Sequence, residues 1–468
     1  MSKLSIDCLN EIFEYLEKET LHSCLLVNRL WCESSVRFFW RDGWNYNTLN
    51  YCTLISCLPE ESKEILNKNE IIIPTPTSKP PIFNYATFCK VLSINQAHHM
   101  IKNLIKNSNQ QNIFTRDLNN NTNIVMQEIC KLFMRQITSL KKLIFWKSPS
   151  VNFNFYPGSK NCLKYLTELH CNSNIPTKFF YQLSQVCQNI LSLDITIGQV
   201  ISDGLKDFIS VQKNLKYLDI HYGRGKDLRD IIPTYVTFSQ LQILKIQYSC
   251  SKYDSLIKFL EMNGKSLKEF YIGDYAGDSD NSLNLAIANF CPNIRKLSTG
   301  FKNNELKTLK LVFNCCQFLE SINIWCGGEF FSEKEALEAI LYYSNKNTCE
   351  LVLYHLYNTR SKLLPEELES ILSIWKNRVP IKPLSLMIVK YDANSLDTND
   401  INMKIIRKYI KLGVIKKFKV TGFDNGEKTA HYRRTSDDEG EDEEEDEEED
   451  QDDGDEPLDT FYSDEDWE

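Results

Sequence analysis

From Leu140 onward the apolar residues recur on a fixed beat. The spacing L-x-x-L-x-[LI] begins at Leu140 (LKKLIF), Leu166 (LTELHC), Ile190 (ILSLDI), Leu215 (LKYLDI), Leu241 (LQILKI), Leu267 (LKEFYI), Ile294 (IRKLST) and Leu319 (LESINI). The gaps between them are 26, 24, 25, 26, 26, 27 and 25 residues. Inside each unit the apolar residues alternate with polar ones, which predicts a strand with one face buried. Between units the spacing becomes helical, as in PTKFFYQLSQVC after Asn174, DSLIKFLEMNG before Ser266 and ELKTLKLVFNCC before Gln317. Three looser units follow at CELVLY, PLSLMI and IKKFKV. A strand and a helix in every period predict a stack of parallel strands on one face and helices on the other. One unit cannot bury its apolar side alone, so each leans on the next.

This period lies inside the range of roughly 20–29 residues of leucine-rich repeats, and the chain resembles them. The fold implied is an α/β solenoid, a horseshoe with parallel strands on its concave face and helices on its convex face. The Asn or Cys that ends the consensus repeat strand is present as Asn174, while Gly198, Gly223 or Ser249 stand in that place elsewhere. By strand alternation the residues flanking the last two apolar positions point to solvent. That face includes Asp194 and Asp219, and its expected substrate-binding residues are Trp146, His170, Tyr217, His221, Lys245, Tyr271 and Trp325. Aromatic side chains anchor protein interfaces, which singles out Trp146, Tyr217, Tyr271 and Trp325.

The first 40 residues follow a different pattern. Leu9, Ile12, Phe13 and Leu16 form one apolar stripe at helical spacing. Thr20 is the expected N-cap of a second helix carrying Leu21, Leu25 and Leu26, and Asn28 that of a third running to Trp40. So small a unit buries about 60% or less of what its unfolded chain exposes, and it therefore wants a partner.

Here the chain resembles the F-box, whose pattern is roughly L-P-x-E-x-L-x-x-I-F-x-x-L, then V-C-x-x-W, then L-W. Leu4, Asp7, Leu9, Ile12, Phe13 and Leu16 match the first segment, Val27-Asn28-Arg29-Leu30-Trp31 the second and Phe39-Trp40 the third. Ser5 replaces the usual proline and Asp7 the usual glutamate. Serine caps a helix as well as proline starts one, so this geometry is expected to survive. The resemblance is to an F-box protein with leucine-rich repeats. It implies the substrate-recognition subunit of a ubiquitin ligase: the helices dock on a Skp adaptor, and through it a cullin, while the repeats hold a protein substrate. The adaptor-binding residues it implies are Leu4, Leu9, Ile12, Phe13, Leu16, Leu21, Val27, Trp31 and Trp40. The alternative is a repeat scaffold that works outside any ligase, its acidic tail binding basic proteins.

The expected boundaries are residues 1–45 for the F-box, 46–82 for a linker, 83–139 for a segment capping the solenoid, 140–425 for the repeats and 426–468 for a disordered tail. IPTPTSKPP (73–81) reads as an exposed extended linker. FNYATFCKVLSI and HHMIKNLI read as helical, broken by NNNTN near 119.

Charge sharpens this picture. Of 63 acidic residues 22 fall between Asp437 and Glu468, where no basic residue occurs; the remaining 41 face 54 basic ones, a net of +13 against −9 for the whole chain. Such an acidic run cannot collapse. It reads as a solubilising tail or one folded back electrostatically, as a partner-binding tail with Phe461, Tyr462 and Trp467 as anchors, or as a target for an acid-directed kinase at Ser436 and Ser463. The lysines of the body are spread through the repeats, so no dedicated nucleic-acid function is expected.

Catalytic signatures do not appear. Gly264-Lys265-Ser266 follows a helix, and Phe259 stands where a phosphate loop needs its first glycine. His170 and His221 lie two repeats apart without supporting carboxylate or cysteine spacing, so no metal or other cofactor is expected. The 16 cysteines lack paired C-x2-C spacing and read as reduced core residues. With no signal-peptide pattern and no apolar run of roughly 18 residues, the expected setting is cytoplasmic or nuclear, away from membranes. The protein is not expected to be an enzyme.

Overall fold

The repeated leucines build one sheet. The structure, a computed structural model, describes residues 5–74, 81–108, 115–146, 156–221, 228–233, 235–247, 253–273, 279–361, 363–378, 382–390 and 393–422. Twelve parallel strands stand side by side in chain order: β1 (Val91–Ser93), β2 (Lys142–Phe145), β3 (Glu168–Asn172), β4 (Ser192–Thr196), β5 (Tyr217–His221), β6 (Ile243–Gln247), β7 (Glu269–Ile272), β8 (Lys296–Ser298), β9 (Ser321–Cys326), β10 (Glu350–His355), β11 (Leu384–Val389) and β12 (Ile415–Thr421). Every strand predicted from the repeat is present, including the three looser ones. The fold is a leucine-rich-repeat solenoid.

Register follows from the repeat. Leu92, Leu143, Leu169, Leu193, Leu218, Leu244, Phe270, Leu297, Ile322, Leu351 and Leu386 pair in one line across β1 to β11, and none is more than 1% exposed. Burying each such side chain contributes about 1.5–3 kcal/mol relative to leaving it in water. A slip of one residue would turn the whole line to solvent, so the pattern fixes the pairing. The leading residue of each unit, from Leu140 to Leu319, is fully buried beneath the strands.

Polar side chains tie one repeat to the next at the corners between helix and strand. Gln212 is fully buried, accepts the backbone N–H of Ile190 at 3.0 Å and donates to the carbonyls of Cys187 at 2.8 Å and Phe208 at 3.0 Å. Asn263 makes the equivalent tether further along the solenoid, accepting from Phe238 N at 2.6 Å and donating to Phe259 O at 3.1 Å. Corner cysteines serve too: the thiols of Cys187 and Cys316 donate to Leu163 O and Cys291 O at 3.2 and 3.4 Å. Burial pushes both thiols up to about 12, which keeps them protonated at neutral pH. Asn174, the one consensus asparagine, accepts from Val200 N at 3.0 Å. Its amide fills the space that a Cβ at Gly198 would need.

The N-terminal region differs from its expected division. Helices α1 (Ile6–Glu14), α2 (Lys18–Leu25) and α3 (Arg29–Phe39) form as the spacing predicts. Ser5 caps α1 by accepting from Cys8 N, and Asn28 caps α3 by accepting from Trp31 N. Thr20 caps nothing; α2 starts earlier, after Glu17, without a side-chain cap. Residues 46–82 are not simply a linker. They contain α4 (Thr48–Ser56) and α5 (Glu60–Lys68), whose Tyr51, Leu54, Ile55 and Leu66 join the main core. Residues 75–80 of the proline-rich stretch lie outside the described residues.

The expected helix over FNYATFCKVLSI is instead a turn followed by β1, which opens the sheet inside the expected capping segment. Cys89-x-x-Leu92-x-Ile94 is the repeat spacing with cysteine in its first place, 51 residues or two periods before Leu140. Two helices, α6 (Ile94–Ser108) and α7 (Thr115–Gln136), fill that double interval. The asparagines near 119 do not break α7: Asn119 and Asn120 are exposed, and Thr122 spends its hydroxyl on Leu118 O at 2.7 Å.

Replacing Gln212 with Ala would leave the Ile190 N–H and two carbonyls unpaired in the interior. The expected cost is about 1–3 kcal/mol of stability. A lower urea midpoint for the variant, with unchanged far-ultraviolet circular dichroism, is the expected result; an unchanged midpoint would remove this tether from the account.

Candidate functional site

Two surfaces carry the residues that the sequence singles out. The first is the strand face of β2 to β7. Register places His170, Asp194, Asp219, Lys245 and Tyr271 in one row across β3 to β7, with His221 and Gln247 in the next row beside them. Asp194 is the hub: His170 Nδ1 lies 3.2 Å from one carboxylate oxygen and His221 Nε2 3.2 Å from the other. His221 Nε2 is also 3.4 Å from Asp219 Oδ1. Tyr217 donates its hydroxyl to Asp219 at 2.7 Å, and Gln247 donates its amide to the same carboxylate at 3.0 Å. The Lys245 ammonium lies 5.8 Å from the Tyr217 ring centre and 5.0 Å from that of Tyr271, within cation–π range of both. Trp146, one residue past the end of β2, adds to the patch at its other end, its ring edge-on to His170 at 5.9 Å.

Six of the seven residues expected to bind substrate therefore form one continuous patch. Trp325 does not join it. Although its strand position is on the same face, it is 3% exposed and stacked on Tyr354 at 4.8 Å, because two large rings on adjacent strands cover each other. Asp194, the group that joins the patch, belongs to the predicted strand face but is not among the seven. The signal available in the sequence is its place on the strand between the two histidines.

Electrostatics follow from this packing. Burial alone would raise Asp194, but hydrogen bonds and positive charge from His170 and His221 outweigh it, and the carboxyl is held well below the usual carboxylate range. Burial alone would lower His221, but its bond to Asp194 and the charges of Asp219 and Asp194 outweigh that, so its pKa is raised. Burial raises Asp219, with the neighbouring Asp194 charge adding to it against the opposing charge of His221. Among the described residues no group of three or more His, Cys, Asp or Glu is arranged to hold a metal ion. The patch is suited to recognition by hydrogen bonds and ring contacts.

The second surface is the helical unit α1–α3. Its private core is small: Leu9, Phe13, Leu21 and Cys24 are buried together, with Leu16, Leu30 and Trp31 packed against them. Trp31 meets Phe13 edge-on at 5.4 Å. Trp40 turns the other way into the main core, 4.5 Å from Tyr85, and its carbonyl accepts from the Tyr46 hydroxyl at 2.5 Å. Of the residues implied to meet an adaptor, Leu9, Phe13, Leu21 and Trp40 thus form interior, while Ile12 and Val27 are 46% and 56% exposed. Leu4 lies outside the described residues. Tyr15 and Leu26, 83% and 77% exposed, and Ile6 add apolar surface beyond the residues implied to meet an adaptor.

The class of protein this architecture defines is the leucine-rich-repeat solenoid, read from its own twelve strands. No family model and no curated protein matches the chain. Among solved structures it is similar to the leucine-rich-repeat-containing protein LegL7 from Legionella pneumophila, at 14% identity over 58% of this chain and 90% of that one, with a TM-score of 0.35. Among the described residues no helix is long and apolar enough to cross a membrane.

His221 gives a sign-definite pH dependence. With its folded pKa raised, the stability contributed by the charged imidazole is fully present below the ordinary value of 6.5 and is lost as pH rises through the raised one. Denaturant midpoints taken at about pH 6 and about pH 8 should fall with rising pH, and His221→Gln should flatten that fall. The same slope in the variant would show that the titration lies elsewhere.

Proposed function

We propose that this chain is a substrate receptor of a cullin-based ubiquitin ligase, with α1–α3 docking on a Skp adaptor and the strand face of β3 to β7 holding a protein substrate. The observation that carries the docking half is the surface of the helical unit. Five large apolar side chains, Ile6, Ile12, Tyr15, Leu26 and Val27, are exposed on a unit whose private core has only four buried residues. Apolar surface of that extent on so small a unit is what a partner helix covers. The resemblance of its sequence to the F-box supplies the partner's class, and the Ser5 cap keeps α1 in place where proline is usual.

In this reading the protein does no chemistry of its own. It raises the concentration of substrate near the transfer site, to the order of millimolar for a short flexible connection. The partly buried ring and carboxylate network around Asp194 favours a partner that offers hydrogen-bonding groups to a prearranged surface. A scaffold acting outside a ligase would share that strand face and would have no need for the apolar helical surface.

Coexpression of the full chain with a Skp adaptor, followed by copurification, tests the reading. Ile12→Asp and Val27→Asp should each cost about 2 kcal/mol or more of binding while the chain stays folded. Retention of the adaptor by both variants, or no retention by the unaltered chain, would remove the ligase assignment and leave the scaffold.

A further inference from the structure

The solenoid pairs its charges across neighbouring repeats. Lys142 meets Glu168 at 3.5 Å, Lys296 meets Glu269 at 3.4 Å, Arg295 meets Glu320 at 2.8 Å and Lys334 meets Glu367 at 2.6 Å. In each case one repeat offers the cation and the adjacent repeat the carboxylate. The last repeat departs from this pattern. From Asp400 to Gly422 it holds seven basic residues and one acidic residue. Lys408 is satisfied by Glu369 of the preceding repeat at 2.6 Å. Lys404, Arg407, Lys411, Lys416, Lys417 and Lys419 are all exposed and have no ion-pair partner among the described residues.

These cations border an open edge. β12 is the last described strand; β11 pairs with one side of it, and no described strand lies on the other. Lys417 and Lys419 stand beside Ser385 and Met387 in the register, on the strand face of the sheet, while Phe418 and Val420 pack inward. The helix Asp400–Lys411 before it, with the turn that follows, exposes Ile401, Ile410 and Leu412. Lysines on an edge strand deter indiscriminate pairing. They favour one kind of strand: an extended segment that carries carboxylates where the next repeat would have placed them.

We propose that the β12 edge is a second docking site, one that takes an extended acidic segment of a partner protein as a thirteenth strand. Main-chain hydrogen bonds to the edge that no described strand covers supply affinity, and Lys417 and Lys419 select acidic sequence. This site is separate from both surfaces assigned above and does not depend on them.

A fluorescein-labelled peptide alternating glutamate and valine, titrated into the full chain and read by fluorescence anisotropy, tests it. Lys417→Glu combined with Lys419→Glu should weaken binding by about tenfold or more, whereas Lys213→Glu with Lys265→Glu, exposed lysines elsewhere, should change it by less than about twofold. Carbonyl isotope labelling of the bound peptide should give the infrared band of a strand. Should the glutamate variant not fold, Lys417→Gln with Lys419→Gln carries the same comparison. Equal weakening by the control pair, no binding by the unaltered chain, or binding gained only when residues 437–468 are deleted would each overturn the assignment to a partner.

Discussion

Everything in this molecule depends on one line of buried side chains running across the sheet from Leu92 to Leu386. A repeat of this length has one apolar side and too little depth to hide it, so each unit is stable only against its neighbours. In-register stacking solves that problem and has two consequences. It sets the strand face as a ladder of solvent-facing positions in which residues far apart in sequence become adjacent. It also leaves two ends that must be dealt with separately, since stacking by itself never closes.

The ends are treated differently. At the start, α4 to α7 cover the first strands, and Trp40 at the end of α3 inserts into the same core, binding the small helical unit to the solenoid. The apolar residues left over on that unit, Ile12 and Val27 among them, are therefore available without weakening the fold. At the finish, β12 has a described neighbour on one side only, and among the described residues its exposed lysines have no carboxylate partner. Between the ends, the strand face concentrates its ionisable groups around Asp194, where two histidines and a neighbouring carboxylate hold one another in place. Contacts that hold side chains in place before binding lower the entropic cost of docking on them.

Most of the repeat architecture was legible in the sequence because strand alternation and repeat period are direct consequences of burial. Eight regular units and three looser ones each became a strand. β1 escapes the pattern because its leading position is Cys89, a small buried residue in the place of leucine, and because two helices double the interval after it. α4 and α5 read as linker because the nearby prolines dominate local composition while Tyr51 and Leu54 reveal their burial only through contacts distant in sequence. The strand patch was legible through alternation, which puts Tyr217 and His221 on one face. What alternation cannot give is which neighbours touch, so the role of Asp194 and the burial of Trp325 against Tyr354 appear only in three dimensions. On the helices the stripe of Leu9, Ile12, Phe13 and Leu16 marks the apolar face, but a stripe does not separate the residues that fill a core from those at its rim.

The central proposal is that α1–α3 serve adaptor docking and the strand face of β3 to β7 serves substrate binding, each without the other. Hydrogen–deuterium exchange of the full chain, alone and with a Skp adaptor, tests this most directly. The account expects slowed exchange confined to peptides from Ile6 to Phe39, with β3 to β7 unchanged. Protection on the strands, or none on the helices, would contradict it.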